Sequence, residues 1–322
     1  MNLFESTFEK HTELATKAQT QQTGVVSNEF KREFWDDFNE MSVSEFVTKY
    51  GQIAGDPKVK AFLTAGNADG DNSENFRVKK GVTTVGKLIP TQNEIGFKNS
   101  LNDLCSINYP AVPRELDIIL TGDNVILGAP SIKEVPIIIF AGKYIIDGHH
   151  RWSKIACCNP LAKVVCLDFN NKMLQNDPEK ALKAFHLAIA QYQNEMPTEE
   201  KSGANLFNST TEDVHKYVKA GLSNPKSAPL VEIYNKHKSK IVTGEAKPNA
   251  GQIANYIARN AGVTVIGKTP ATDTARKYMP QLDKAPAAII SLEKGAINFS
   301  PNKVTESLFE STFNKFKNLY TK

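Results

Sequence analysis

The stretch YIIDGHHRWSKIACC, residues 144–158, constrains this chain more than any other. Its β-branched start reads as a strand, joined to the preceding VPIIIF by Ala141-Gly142-Lys143 as a tight hairpin. Gly148 then allows a turn that most residues resist, and HHRWSKIACC reads as a helix. Helix N-termini carry unpaired backbone N–H groups and about half a positive charge, so they attract anions. Arg151, in that first turn, adds a forked donor matched to phosphate oxygens. His149 and His150 add donors that are neutral or charged near neutral pH. Asp147, at the strand end, is placed to orient a histidine, hold a metal or accept a hydroxyl proton. Together they describe a phosphate cradle without a Walker lysine. The structural alternative has the histidines capping the helix and Arg151 pairing with Asp147. Joint ligation of one metal by both histidines is disfavoured, because adjacent residues point apart on a helix. Trp152 is expected in the core or at its rim.

The rest of the chain is of ordinary globular make-up. It has 322 residues, 40% of them apolar and 23% charged, enough for two domains or one with large additions. The net charge of +4 is thinly spread with no polybasic run, so charge alone does not single out nucleic acid. Cys105, Cys157, Cys158 and Cys166 form no CxxC pair and are expected as buried thiols in a reducing compartment. The first 25 residues lack the apolar stretch of a signal peptide. No run reaches the roughly 18 apolar residues of a membrane helix. A soluble, cytoplasmic protein without membrane association is expected, virion-associated if phage-encoded.

Three regions are expected. Residues 1–79 read as a helical N-terminal region, with NEFKREFWDDFNEM after Ser27 and a helix start at Asp56-Pro57. NADGDNSENF (67–76) reads as a solvated loop, since no glycine falls where a calcium-binding EF-hand loop needs one. Residues 80–170 change character: VTTVGKLIP, LDIILTG, VPIIIF, KYIIDG and AKVVCLDF read as strands, and TQNEIGFKNSLNDLC as a helix. Residues 171–322 read as mostly helical. Asp177-Pro178 opens an amphipathic helix, Thr210 with Asp213 starts another that Gly221 ends, APLVEIYNKHKSKIV is a further one, and the tail 303–322 is again helical. The class is therefore α+β, a mixed sheet-and-helix core with helical additions on both sides.

The segment PIIIFAGKYIIDGHHRWSKIA resembles the signature hairpin and helix of the ParB/sulfiredoxin superfamily. VGKLIPTQNEI resembles its leading strand and proline-containing turn. The resemblance covers residues 80–170 and implies a nucleotide whose phosphates lie on Gly148, His149, His150 and Arg151. Activities in the superfamily diverge: CTP-switched DNA clamps, ATP-dependent sulfinic acid reductases, free serine kinases and nucleases. Sulfiredoxins carry a catalytic cysteine where His149 stands here, which argues against that reaction. Partition-type ParB proteins carry a GERR-like box in place of DGHHR, which argues against CTP-dependent clamping. The DGHHR form looks most like the free serine kinase branch. There the acid matching Asp147 lies by the substrate hydroxyl and an upstream glutamate helps activate it, a part that falls here to Glu94. The resemblance thus implies a kinase-like protein or nucleotide hydrolase using a nucleoside triphosphate or diphosphate, ATP or ADP favoured. Mg²⁺ would be held through Asp147, with His149 or His150 stabilising charge on the transferred group.

Two other classes compete. A DNA-associated protein would use QIANYIARNAGVT and TPATDTARKYM as the two helices of a helix-turn-helix, although VTVIGK between them exceeds the usual turn. A phage or mobile-element structural or cargo protein would use LFESTF, present at Leu3–Phe8 and again at Leu308–Phe313, as twin docking motifs for a protein partner or for self-association. In that case the nucleotide site would be a relic.

Overall fold

The computed structural model describes residues 28–53, 55–57, 59, 76–128, 134–172, 174, 176–193, 203–244 and 246–294. Both LFESTF copies, residues 67–75 of the polar loop and the 303–322 tail lie outside them. In chain order the main elements are α1 (Asn28–Glu40), α2 (Val43–Ile53), β1 (Arg77–Thr84), α3 (Phe97–Cys105), α4 (Val112–Thr121), β2 (Ile137–Phe140) and β3 (Tyr144–Asp147). They continue with α5 (His149–Cys158), β4 (Lys163–Asn170), α6 (Pro178–Gln193), α7 (Thr211–Leu222), α8 (Ala228–Lys236), α9 (Ala250–Thr264) and α10 (Pro286–Glu293). Helices and one mixed sheet, in strand order β1-β4-β2-β3, make up the fold. Among the described residues no helix is long and apolar enough to cross a membrane.

Two compact units emerge. One comprises Met1–Val78, Phe169–Thr198 and Tyr278–Lys322; the other comprises Lys79–Asp168 and Glu199–Lys277. The second unit thus joins most of the expected 80–170 core to the 199–277 part of the expected C-terminal region.

The first unit is organised by α6. Asp177 Oδ1 accepts from the Lys180 N–H at 3.0 Å and starts the helix. Every residue from Ala181 to Gln191 is buried, so α6 is enclosed on all sides, not amphipathic as its sequence suggests. Helices α2 and α10 pack on it, and Phe185 stacks edge-on against Phe169, with ring centroids 5.2 Å apart. Phe34 of α1 packs against Phe46 and Tyr50 of α2. Lys183, buried, donates to Phe38 O at 3.1 Å and to Met41 O, placing a cation on the carbonyl end of α1.

The second unit wraps α5. A contiguous apolar core runs from Val85 and Leu88 through Leu101, Leu116, Ile139 and Trp152 to Ile253 and Ile257. Helix α5 is packed by α3 and α9, with Ser100 and Ser153 hydroxyls 2.7 Å apart, Asn260 Nδ2 donating to Cys158 O and Thr264 Oγ1 to Ala156 O. Trp152 is fully buried and its Nε1–H donates to Val85 O at 3.1 Å. The Thr210–Asp213 capping box forms, and α7 runs one residue past Gly221. All four cysteines are free and buried.

Several local expectations are corrected. LDIILTG is not a strand but the end of α4. Its buried set, Val112, Leu116, Ile119 and Leu120, has helical spacing, Pro113 sits in the first turn, and left-handed Gly122 ends the helix. The helix read into TQNEIGFKNSLNDLC begins only at Phe97, because the backbone N–H groups of Thr91, Gln92, Ile95 and Gly96 are taken by side chains from elsewhere. VTTVGKLIP leaves the sheet after Thr84 in a 3-10 turn, Val85–Lys87. The second helix of a helix-turn-helix is absent: TPATDTARKYM runs extended beside Pro90–Glu94, with a 3-10 turn only at Arg276–Tyr278. Helix α8 stops at Lys236, and Lys240 instead donates to Leu120 O and Thr121 O at the carbonyl end of α4.

Candidate functional site

The site begins at the β2–β3 hairpin. Phe140 pairs with Tyr144 and Ile139 with Ile145, in antiparallel register. The register then slips by one, so that Ile138 faces Asp147, not Ile146. Such bulges re-aim the side chain that follows them, and here that side chain is Asp147. Gly148 comes next at φ +100°, ψ +22°, a left-handed conformation that a Cβ would strain. Helix α5 starts directly after it, with Gly148 itself at the N-cap; the Trp152 N–H closes the first turn on Gly148 O at 2.8 Å.

Arg151 is folded back over this turn. Its Nη2 lies 4.0 Å from Asp147 Oδ1 and donates to Pro136 O at 3.4 Å. The side chains of Asp147 and Arg151 are 12% and 13% exposed, so the pair is screened from water but not sealed from it.

The two histidines do something the sequence did not foretell. His149 is buried, and its Nε2 accepts from the backbone N–H groups of Thr91 at 3.1 Å and Gln92 at 3.3 Å. The Thr91 hydroxyl donates to Ile145 O, 2.6 Å away. An Nε2 that accepts two N–H bonds requires the neutral ring with its proton on Nδ1. Burial, and then the neighbouring charges of His150 and Arg151, pull the His149 pKa down to about 3. His150 Nε2 accepts from the Gly96 N–H at 3.3 Å. Consecutive histidines thus bind the two ends of one loop, Thr91–Gly96, and Glu94 lies between them.

Other residues brace that loop. Gln92 Nε2 donates to Glu94 O. Asn205 Oδ1 accepts from the Ile95 N–H at 3.0 Å, and its Nδ2 donates to Asn93 O. The extended segment 271–276 runs alongside: Ala271 N donates to Pro90 O, Asn93 N to Thr274 O, Thr272 Oγ1 to Thr91 O, and Asn93 Nδ2 to Asp273 Oδ1. At its end the Arg276 N–H donates to Glu94 Oε1 at 3.3 Å. Asp147, Gly148, His149, His150 and Arg151 are consecutive, and the two histidines tie Glu94's loop to the opening turn of α5. The residues that sequence reasoning missed, Asn205, Thr272 and Arg276, lie more than a hundred positions from the loop they hold and carry no motif.

One turn further along α5, Lys154 is buried against Asp103 of α3 and, at 3.5 Å, Glu115 of α4. The Tyr109 hydroxyl bonds the Glu115 carboxylate at 2.7 Å. Burial, reinforced by that bond, holds the Tyr109 phenol far above its ordinary range. These groups satisfy one another and tie three helices together. Among the described residues no cluster of three or more histidine, cysteine or carboxylate side chains is placed to hold a metal ion.

Comparison of the chain with protein-family models, with curated proteins and with solved structures gave no match. The reading of its function therefore rests on its own residues.

Proposed function

We propose that the protein binds a nucleoside triphosphate or diphosphate, ATP or ADP first among them, at the Gly148–Arg151 turn, and transfers or hydrolyses the terminal phosphoryl group. One observation carries the reading. A left-handed glycine with no side chain of its own joins β3 to α5 at the N-cap, and a guanidinium stands directly over the turn. Backbone N–H groups at a helix start, a turn without a side chain and an arginine fork are the donors a phosphate group needs. The hairpin–glycine–helix order and the mixed four-stranded sheet support the likeness to the ParB/sulfiredoxin superfamily.

The residues assign the steps. Arg151 exchanges Asp147 and Pro136 O for phosphate oxygens. An acceptor hydroxyl, or water, attacks the terminal phosphorus. A P–O bond forms to the acceptor oxygen as the bond to the bridging oxygen breaks, and the nucleotide leaves with that electron pair. The acceptor's proton passes to Glu94 or Asp147. Positioning and electrostatics supply most of the acceleration in such transfers. A single carboxylate suits a Mg²⁺ brought in on the phosphates and does not suit a resident, protein-caged ion. Asp147 would be its one protein ligand, and the ion would neutralise phosphate charge.

A thermal-shift series with ATP, ADP, CTP and GTP, each with and without Mg²⁺, tests the proposal, since a ligand that binds only the folded state raises its stability. Stabilisation by ATP or ADP that is absent in Arg151→Ala supports the cradle. No stabilisation by any of the four ends it.

A further inference from the structure

We infer that His149 is a positioning residue: through the backbone of Thr91 and Gln92 its Nε2 fixes the loop that carries Glu94 against the opening turn of α5. The inference rests on the phosphoryl-transfer reading and assigns a different part to one of its residues.

The Nε2 of His149 is committed to the loop, because its lone pair receives the N–H groups of Thr91 and Gln92. The ring's one N–H is then at Nδ1, and the residue is 4% exposed. What it controls is the entry to Thr91–Gly96. His150 holds the exit of the same loop through Gly96. Between these two anchors Glu94 is fixed twice more, by Gln92 on its carbonyl and by the Arg276 N–H on its carboxylate. The segment that delivers Arg276 is itself bonded to this loop, through Thr272 to Thr91 O and through Thr274 O to the Asn93 N–H. Releasing Thr91 and Gln92 from His149 therefore loosens both the backbone of Glu94 and the partner of its carboxylate. The turn formed by Gly148, the α5 N-terminus and Arg151 is left in place. Turnover should fall while nucleotide affinity holds.

The experiment uses the full chain with ATP and Mg²⁺, reading ADP formation, ATP dissociation constant and thermal midpoint in wild type, His149→Ala, His149→Gln, Glu94→Gln and the double variant His149→Ala/Glu94→Gln. Glutamine places an amide oxygen near the position of Nε2 and restores the acceptor; alanine does not. The expected result is a kcat loss of about tenfold or more in His149→Ala with ATP affinity within about twofold, and substantial recovery in His149→Gln. In the Glu94→Gln background the alanine change should cost nothing further, because both act through one group. Should His149→Ala not fold, His149→Asn, whose amide falls short of Thr91, takes its place in the cycle. Two results overturn the inference: ATP affinity lost with kcat kept, which makes His149 a ligand, or losses that multiply in the double variant. Wild-type protein that binds ATP without turning it over overturns the positioning role and leaves the cradle standing. Wild-type protein that binds no ATP removes the cradle, and the positioning role with it.

Discussion

The guanidinium of Arg151 is packed against Gly148: a Cβ added at Gly148 would meet Nη2 at 3.0 Å, Nε at 3.2 Å and Cζ at 3.3 Å. Glycine is thus required here twice, for the backbone at φ +100° and for the arginine above it. Gly148→Ala should cost about 1–2 kcal/mol from the left-handed conformation alone, and should also displace Arg151. Gly142→Ala, at the hairpin tip with φ +74° and nothing nearer than Asp168 Oδ2 at 3.8 Å, carries the strain without the collision. Urea unfolding should show both variants destabilised, and titration with inorganic pyrophosphate should show weakened binding only for Gly148→Ala.

Asp147 and Arg151 make opposing predictions for the same ligand. The guanidinium at 4.0 Å from the Asp147 carboxylate must turn from it to meet a phosphate. Arg151→Ala should weaken pyrophosphate binding about tenfold to a hundredfold, the range expected for losing hydrogen bonds to a charged group. Asp147→Asn should strengthen it where Arg151 is present, and change it less in the Arg151→Ala background. Equal strengthening in both backgrounds, read by calorimetry, would reduce Asp147 to a simple charge repulsion.

The parts legible in the sequence are those whose cause is local. The hairpin at Ala141–Lys143, the turn at Gly148, the start of α6 at Asp177 and the Thr210–Asp213 capping box each depend on residues within a few positions of one another, and each forms. The same is true of the burial of Trp152 and the cysteines. LDIILTG misled because a short β-branched run is ambiguous between strand and buried helix, and the deciding signal, Val112 and Pro113, lay just upstream. The site was legible only on one side. DGHHR marks itself by its composition, whereas Thr91 and Gln92 meet His149 across more than fifty residues and Arg276 meets Glu94 across more than a hundred and eighty. Long-range backbone hydrogen bonds of this kind leave no periodicity or motif behind, so nothing in the sequence showed that both histidines accept from the backbone of residues 91–96.

Acid should unfold the protein through its buried histidines. His149 is depressed to about 3 by burial and by the charges of His150 and Arg151. His186, whose Nε2–H donates to Tyr278 O, is depressed to about 4 by burial. Both are neutral in the folded chain while the unfolded chain takes up protons below its ordinary pKa near 6.5. The unfolded state therefore binds more protons as pH falls, and stability is full above about 6.5 and declines toward 3 for His149 and toward 4 for His186. Each group contributes a slope of up to about 1.4 kcal/mol per pH unit in its window. Denaturant melts from pH 7 to pH 4 should show the decline, and His149→Gln should flatten it. An unchanged slope in that variant would mean that His149 is not neutral in the fold.

Lys154 supplies the sharpest stability test, because its partners are enclosed with it. Its side chain is 9% exposed, against those of Asp103 and Glu115 at 17% and 14%. Replacing it by methionine keeps the length of the side chain and leaves two carboxylates facing each other without their cation. Breaking a buried pair from one side costs about 3–5 kcal/mol, mostly the penalty of stranded charge and not the worth of the pair. Lys154→Met should therefore lose several kcal/mol at neutral pH, by chemical denaturation. Lys154→Met/Asp103→Asn/Glu115→Gln should recover most of the loss, since neutral amides can still bond Tyr109 and Asn108, which now reach those carboxylates. A triple variant as unstable as the single one would show that stranded carboxylate charge is not the source of the loss.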